Sequence, residues 1–257
     1  MGVKKYRVEK FTLEKVMAAD GAMLGKHVEL MQCLFEIDIA PLRQKIKQAR
    51  QEKKATVSLV ACLLYCYSRA LHKNPDTFSF RSSGNKLYFF DEADAFFPVE
   101  INQDGRKFLW YKIIRAINTK TVFQLEDDIR STFTMTKTLN LAEKIFFPLP
   151  YWLKNICYNF VMGNPLVRKM HGGNVYFSSA IHSGNGRSAT YGIPSHFHTS
   201  GMFIGMYREE TKPDGTKANI LAITLSLDHI IGDGFMLAKL YRAFLAEVEN
   251  FEIGNGS

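Results

Sequence analysis

His229 stands four residues ahead of Asp233 in the string His229-Ile-Ile-Gly-Asp233-Gly234. A neutral imidazole can take a proton near pH 7, and a carboxylate close behind it can brace the turn that holds the ring. Gly232 and Gly234 permit close backbone approach or a positive φ at a sharp junction. Ahead of the motif, Leu221, Ile223, Leu225 and Leu227 share one parity, and His229 falls on it. The alternation predicts a strand from Ile220 to Asp228, with His229 directed toward the buried side of its sheet. A helix from Phe235 to Glu249 is expected to follow. A lone histidine on an apolar face is usually a satisfied core residue; the glycine-flanked carboxylate at the next turn is what favours chemistry here.

Other residue types that do chemistry are less well placed. Ser178 and Ser179 end a strand candidate from Asn174 to Ala180, but no nucleophile-elbow sequence surrounds them. His196 and His198 form an HxH pair with His182 upstream, and no carboxylate or cysteine sits at ligand spacing, so no metal site is expected. Cys33, Cys62, Cys66 and Cys157 lack zinc-site spacing and read as small buried hydrophobes in a reducing compartment.

The chain of 257 residues is 46% hydrophobic, enough to bury one full core, and shows no composition break that would mark a linker. Residues 1–253 are expected to form one domain, with 254–257 a frayed polar tail. A net charge of +8 favours an anionic partner. Apart from a solvated helix face from Arg43 to Lys54 the basic residues are scattered, and no nucleic-acid module appears, so no nucleic-acid partner is expected. The most apolar segment, Ile145 to Val161, is broken by Pro148, Pro150, Lys154 and Asn155, and is too short to span a bilayer. Neither a membrane partner nor secretion is expected, since Met1 to Arg7 lacks the apolar core of a signal peptide; a cytoplasmic location follows.

Strand and helix patterns alternate without a regular rhythm, which predicts a mixed α/β sandwich. Cys33, Phe35 and Ile37 read as a strand, Asp38 and Pro41 open a helix to Lys54, and Ser58 caps a helix apolar nearly all round through Ala70, which must be buried. Strands are expected at 87–90, 95–99 and 108–114, the last two joined by a turn at Gln103-Asp104-Gly105, and a further strand at Met202 to Tyr207. Thr121 begins a helix with Val122, Leu125 and Ile129 on its inner face.

With these residues in place, the chain resembles the acyltransferase catalytic domain of 2-oxo acid dehydrogenase complexes and the chloramphenicol acetyltransferases. The likeness rests on the HxxxDG string about thirty residues from the end, on the segment from Asn174 to Gly186, and on Cys33-Leu-Phe-Glu-Ile-Asp38 with its two helices and Asn74-Pro75, and so runs through nearly the whole chain. Asp228 ahead of the histidine matches the dehydrogenase-complex version.

The resemblance implies a single-domain chloramphenicol acetyltransferase-like two-layer sandwich with a mixed β-sheet. It implies acyl transfer between CoA and a thiol or hydroxyl, with His229 as general base, Asp233 in the motif turn, and Ser178 donating to the oxyanion, Ser179 being the one-residue-shift alternative. CoA or acyl-CoA would be the substrate. A homotrimer with its site shared between subunits is implied too, for which the apolar and aromatic run from Ile145 to Val161 could supply interface.

Three departures stand out. The family arginine that pairs with the motif aspartate is absent from Thr12-Leu-Glu-Lys-Val-Met17, leaving Lys15 or Arg7 as substitutes, and Ile230 replaces the arginine that commonly follows the histidine. No lipoyl domain precedes residue 1, which suggests a stand-alone catalytic domain. A non-catalytic assembly or binding module, or a small-molecule O- or N-acetyltransferase, including an antibiotic-modifying one, are the competing readings.

Overall fold

The computed structural model describes residues 12–52, 56–82, 84, 86–103, 106–135, 140–181 and 186–253. Its elements are α1 (Leu13–Gly25), β1 (Leu30–Asp38), α2 (Ala40–Gln51), α3 (Leu59–His72), β2 (Phe80–Arg81), β3 (Leu87–Tyr88), β4 (Ala95–Gln103), β5 (Arg106–Ile114) and α4 (Val122–Phe133). There follow α5 (Leu141–Phe146), α6 (Tyr151–Gly163), α7 (Pro165–Gly172), β6 (Val175–Ser179), β7 (Arg187–Thr190), β8 (Ser200–Thr211), β9 (Lys217–Asp228) and α8 (Gly234–Glu249).

One mixed sheet organises the chain, in the order β1-β9-β8-β6-β4-β5, with β7 on β8. β6 runs parallel to both β4 and β8, and the other pairs are antiparallel. Parallel neighbours need long crossovers: from β4 to β6 the chain returns through β5 and α4 to α7, and from β6 to β8 through the stretch that contains β7. The first face of the sheet is covered by α2, α3, α4 and α8. α3 lies at the centre of this layer, with ten of its side chains buried, as its all-round apolar sequence requires. Tyr67 of α3 stacks on Phe177 of β6, whose ring also meets Phe97 of β4. Local signals fix the helix starts: Ser58 Oγ accepts the N–H of Ala61, and Thr121 and Gln124 form a capping box at α4.

The second face has its own partial cover, made by α1, α5, α6 and α7 over β4 and β5 and by the stretch 191–199 over β8 and β9. Here α6 buries a charged side chain beside Tyr158 and Met162 and leaves apolar ones exposed. Lys154 is buried against the Asp20 carboxylate of α1, 3.0 Å away, while Trp152, Ile156 and Phe160 face outward. The apolar run at 145–161 therefore splits between the chain's own interior and its surface. None of the described helices is long and apolar enough to cross a membrane.

Two expectations change. The strand predicted at 87–90 is a two-residue partner of β2 in a separate ribbon, outside the main sheet, with Leu87, Tyr88 and Phe89 exposed. A short apolar run cannot by itself say which neighbour it pairs with. The helix expected to reach Lys54 is seen to Gln51; residues 53–55, the turn residues 104–105 and the tail 254–257 lie outside the described part.

The Asp20–Lys154 pair ties α6 to α1, and breaking it one-sidedly should be costly. Asp20→Asn leaves a buried ammonium without its counter-charge and is expected to lower the unfolding free energy by ~3–5 kcal/mol. Replacing both residues by apolar side chains of similar volume should recover most of that loss in urea denaturation. Equal destabilisation by the single and double changes would show that the charge pairing is not what holds the two helices.

Candidate active site

β9 is buried at every position from Leu221 to Asp228, on both faces. Leu221, Ile223, Leu225 and Leu227 pack into the helical layer, whereas Thr224, Ser226 and Asp228 face the second side, and Ser226 meets His196 there. The strand then leaves the sheet. His229 is the first exposed residue after it, so the parity argument fails at this position: the ladder ends at Asp228 and the imidazole stands in solvent instead of on the buried side.

The turn that carries His229 is held from several directions. The His229 N–H donates to the carbonyl of Glu29 at 2.7 Å, which extends the grip of β1 on β9 beyond the strand end. The buried carboxylate of Asp228 accepts the N–H groups of Glu29 and Ile230 at 3.3 and 3.1 Å. The Asp228 carbonyl accepts those of Ile231 and Gly232, both at 3.0 Å. Burial pushes the Asp228 carboxyl above the ordinary range, with nearby Arg168 working in the opposite direction.

Gly232 is needed for space: a Cβ there would lie 2.5 Å from the Met236 sulfur and 2.8 Å from a Leu227 methyl. Asp233 is the N-cap of α8, its Oδ1 accepting the Met236 N–H at 2.9 Å. Among the described residues no ion pair joins Asp233 to Lys15, which is exposed on α1, and Arg7 lies outside the described part. His229, Ile230, Gly232, Asp233 and Met236 line an open depression of about 310 Å³.

Ser178 lies at the far end of β6. Its position is set at the strand's start, where Gly173 has φ +73° and Asn174 is fully buried, accepting the Asp94 N–H at 2.6 Å and donating to the carbonyls of Phe78 and Glu92. Ser178 pairs with Phe203, which pairs with Thr224, so all three share the second face. Ser179 belongs to the row of Ile204 and Phe177 and faces the helical layer, its Oγ accepting the Ile181 N–H at 3.3 Å. The two serines thus serve opposite sides of the sheet.

His229 is five residues beyond Thr224, two strands away from Ser178. At ~3.3 Å per residue and ~4.8 Å per strand, the two are about 19 Å apart within one chain. The sequence brings both to one sheet, and the fold does not bring them together in one chain.

The HxH pair has a different character. His196 stacks on Tyr176 and is fully buried beside His198. The His198 N–H donates to His196 Nδ1, so His196 carries its proton on Nε2 and gives it to Ser226 Oγ at 2.6 Å. Ser226 in turn donates to the Gly201 carbonyl at 3.3 Å. His198 Nε2 donates to the carbonyl of Gly172 at 2.8 Å. Both rings are neutral hydrogen-bonding struts, and no group of three metal-ligating side chains occurs among the described residues.

The same region contains Arg168, which sequence reasoning passed over. It is buried, donates to the Phe197 carbonyl, and sits 3.8 Å over the Phe80 ring. Burial lowers its pKa to about 10. Nothing local in Asn164-Pro-Leu-Val-Arg168 signals this burial, because it depends on strands remote in sequence.

Burial depresses both histidines, His196 to about 3 and His198 well below its ordinary value. An unfolded chain takes up these protons near pH 6.5 while the folded one refuses them, so stability must fall as pH drops below 6.5. The expected loss is up to ~1.4 kcal/mol per pH unit for each ring between pH 6.5 and about 4.5. The depressed carboxylates Asp38, Asp94 and Glu126 add their own loss only nearer pH 4. Urea unfolding across this window measures the slope, and His196→Gln should reduce it; a flat profile from pH 6.5 to 4.5 would contradict the buried neutral pair.

No protein-family model and no curated protein sequence matches this chain. Solved structures do match in fold. The cubic core of the pyruvate dehydrogenase multienzyme complex is similar over 96% of this chain and 92% of its own, with 20% identity and a TM-score of 0.66. Dihydrolipoamide acetyltransferase from Azotobacter vinelandii gives the same coverages and TM-score at 18% identity, and is a protein in which a serine, a histidine and an asparagine have been studied for catalysis. A chloramphenicol acetyltransferase covers 88% of this chain and 92% of its own, at 14% identity and a TM-score of 0.51. The chain therefore has the chloramphenicol acetyltransferase-like fold shared with the catalytic cores of 2-oxoacid dehydrogenase acyltransferases.

Proposed function

We propose that this protein is a CoA-dependent acyltransferase that moves an acyl group between a CoA thioester and a thiol or hydroxyl acceptor. The observation that carries the reading is the exposed His229 imidazole, presented on a turn fixed by hydrogen bonds from β1, β9 and α8, in a fold similar to that of a dihydrolipoamide acetyltransferase and a chloramphenicol acetyltransferase. The histidine and asparagine studied in the Azotobacter enzyme are four positions apart, the spacing of His229 and Asp233.

In this reading the neutral imidazole of His229 takes the proton of the acceptor S–H or O–H as that atom attacks the thioester carbonyl. The carbonyl electrons move onto oxygen, and the Ser178 hydroxyl donates to the resulting oxyanion. Collapse re-forms the carbonyl and expels the CoA thiolate, which recovers the proton from the imidazolium. Asp233 acts as the cap that aims the turn. The net charge of +8 suits a cofactor-sized substrate that carries phosphates.

A general base must come within ~3 Å of the proton it moves. The separation of about 19 Å within one chain, from the strand spacing, supports a reading in which His229 of one subunit meets Ser178 of another. A homotrimer supplies that arrangement. Support comes from the similar solved core being cubic, since every cubic assembly has threefold axes.

His229→Ala is expected to lower turnover by ~10²–10⁴-fold, read as release of CoA thiol across a panel of donors and acceptors. Ser178→Ala should lower kcat by on the order of 10²-fold with little change in KM, and Ser179→Ala should have little effect. Unchanged turnover in His229→Ala would remove the base from the mechanism. When the His229→Ala and Ser178→Ala proteins are refolded together, mixed trimers should regain activity. Light scattering that finds only the 29.3 kDa monomer would end the shared-site reading.

A further inference from the structure

A cavity of about 330 Å³ lies between the second face of the sheet and the helices that cover it. Phe96, Tyr111, Phe146, Tyr158 and Phe197 give it aromatic walls, and Gly21 of α1 opens onto it. One of its wall residues, Phe96, lies close to Ser178 in the sheet. Phe96 pairs with Tyr176 across the β4–β6 ladder, and Ser178 is the next residue of β6 on that face, about 7 Å along the strand.

The space is not a packing accident. Protein interiors are normally filled to the density of organic crystals, and a glycine inside a helix is less stable than alanine. Gly21 lies in the middle of α1, and a Cβ added there would meet nothing within 4 Å. Stability alone would favour a side chain at this position. Of the charged groups on its walls, Asp20 is neutralised by Lys154, Glu143 is engaged in the Asn140 capping box, and Arg168 donates to the Phe197 carbonyl while its Nε has no hydrogen-bond partner among the described residues. At the ~30 Å³ that a water molecule occupies in the liquid, taken as the size of one small group, the cavity of about 330 Å³ holds on the order of ten such groups.

We propose that this chamber receives an uncharged apolar group of roughly ten non-hydrogen atoms, so that the substrate is larger and more apolar than an acetyl group passed to a small polar acceptor. The inference rests on the acyltransferase reading for its catalytic meaning, and leaves the group to be either the acyl chain of the thioester or a chain or ring of the acceptor. The walls are mostly aromatic and aliphatic, which suits an apolar group better than a free carboxylate or ammonium.

Trp152→Phe leaves Trp110, which lines the cavity, as the one tryptophan of the chain, and makes binding visible without turnover. Titration with straight-chain alcohols from butanol to octanol should change Trp110 emission saturably, with affinity rising about fourfold per methylene. Gly21→Leu should weaken octanol binding by at least tenfold while Gly21→Ala keeps it. Val161→Phe, which fills the chamber from α6, is a second blocked variant should Gly21→Leu melt early. No saturable response to any alcohol, or unchanged affinity in a folded blocked variant, overturns the proposal.

Two activity arms identify the source. Preference for octanoyl-CoA over acetyl-CoA with a short polar thiol assigns the chamber to the acyl chain; preference for octanethiol over a short thiol with acetyl-CoA assigns it to the acceptor. Transfer with neither preference overturns the chamber as a substrate site. Octanol binding without any acyl transfer would instead remove the catalytic reading and leave the chamber standing.

Discussion

Strand β9 is buried on both faces over its last eight residues, and most of the structure follows from that requirement. A strand so placed needs a layer on each side. α3 and α8 supply one, packing Leu221, Ile223, Leu225 and Leu227, and the 191–199 stretch supplies part of the other, where His196 donates to Ser226. Because the strand cannot shift without exposing one side or burying polar atoms, its end is a fixed point. His229 emerges there, and its turn inherits the rigidity of the sheet through Glu29 and Asp228.

The two sides of the sheet have divided the labour. The helical side is a conventional apolar core with edge-to-face aromatic packing, such as Phe35 against Tyr241 at 4.7 Å. The second side mixes aromatic rings with buried polar groups: neutral histidines, Arg168, and the Asp20–Lys154 pair. Such groups are costly to bury and gain little stability over apolar replacements. They do fix positions, and the residues they fix are those around Ser178 and the adjoining cavity. Chemistry between chains would place further demands on that side, since a residue on one subunit must find a partner on another to within a few tenths of an ångström.

The Asp233 carboxylate illustrates how a capping residue also shapes the turn before its helix. As N-cap it closes the first turn of α8, and in doing so it holds the backbone that carries His229. The arginine pairing that the family resemblance suggests is not made by Lys15. The exposed N-cap geometry explains why an aspartate can be kept at this position without it.

The amino-acid sequence determined the local events: the capped starts of α3 and α4, the alternation in β1 and β9, the burial of α3, and the string that couples His229 to Asp233. Each is a matter of residues within a turn or two of one another, where propensity and periodicity act directly. It also carried the family resemblance, through the HxxxDG string and the segments around it, that implied the fold. What only the tertiary structure decided depends on neighbours far away in the chain. The parity that pointed His229 inward was overruled because the ladder stops one residue earlier. The strand at 87–90 joined a separate ribbon, Arg168 became buried, and the apolar run at 145–161 was split between a cavity wall and an exposed stripe. Side-chain direction past the end of a strand, and the partner of a short apolar segment, are set by packing between elements, for which single-chain periodicity has no term.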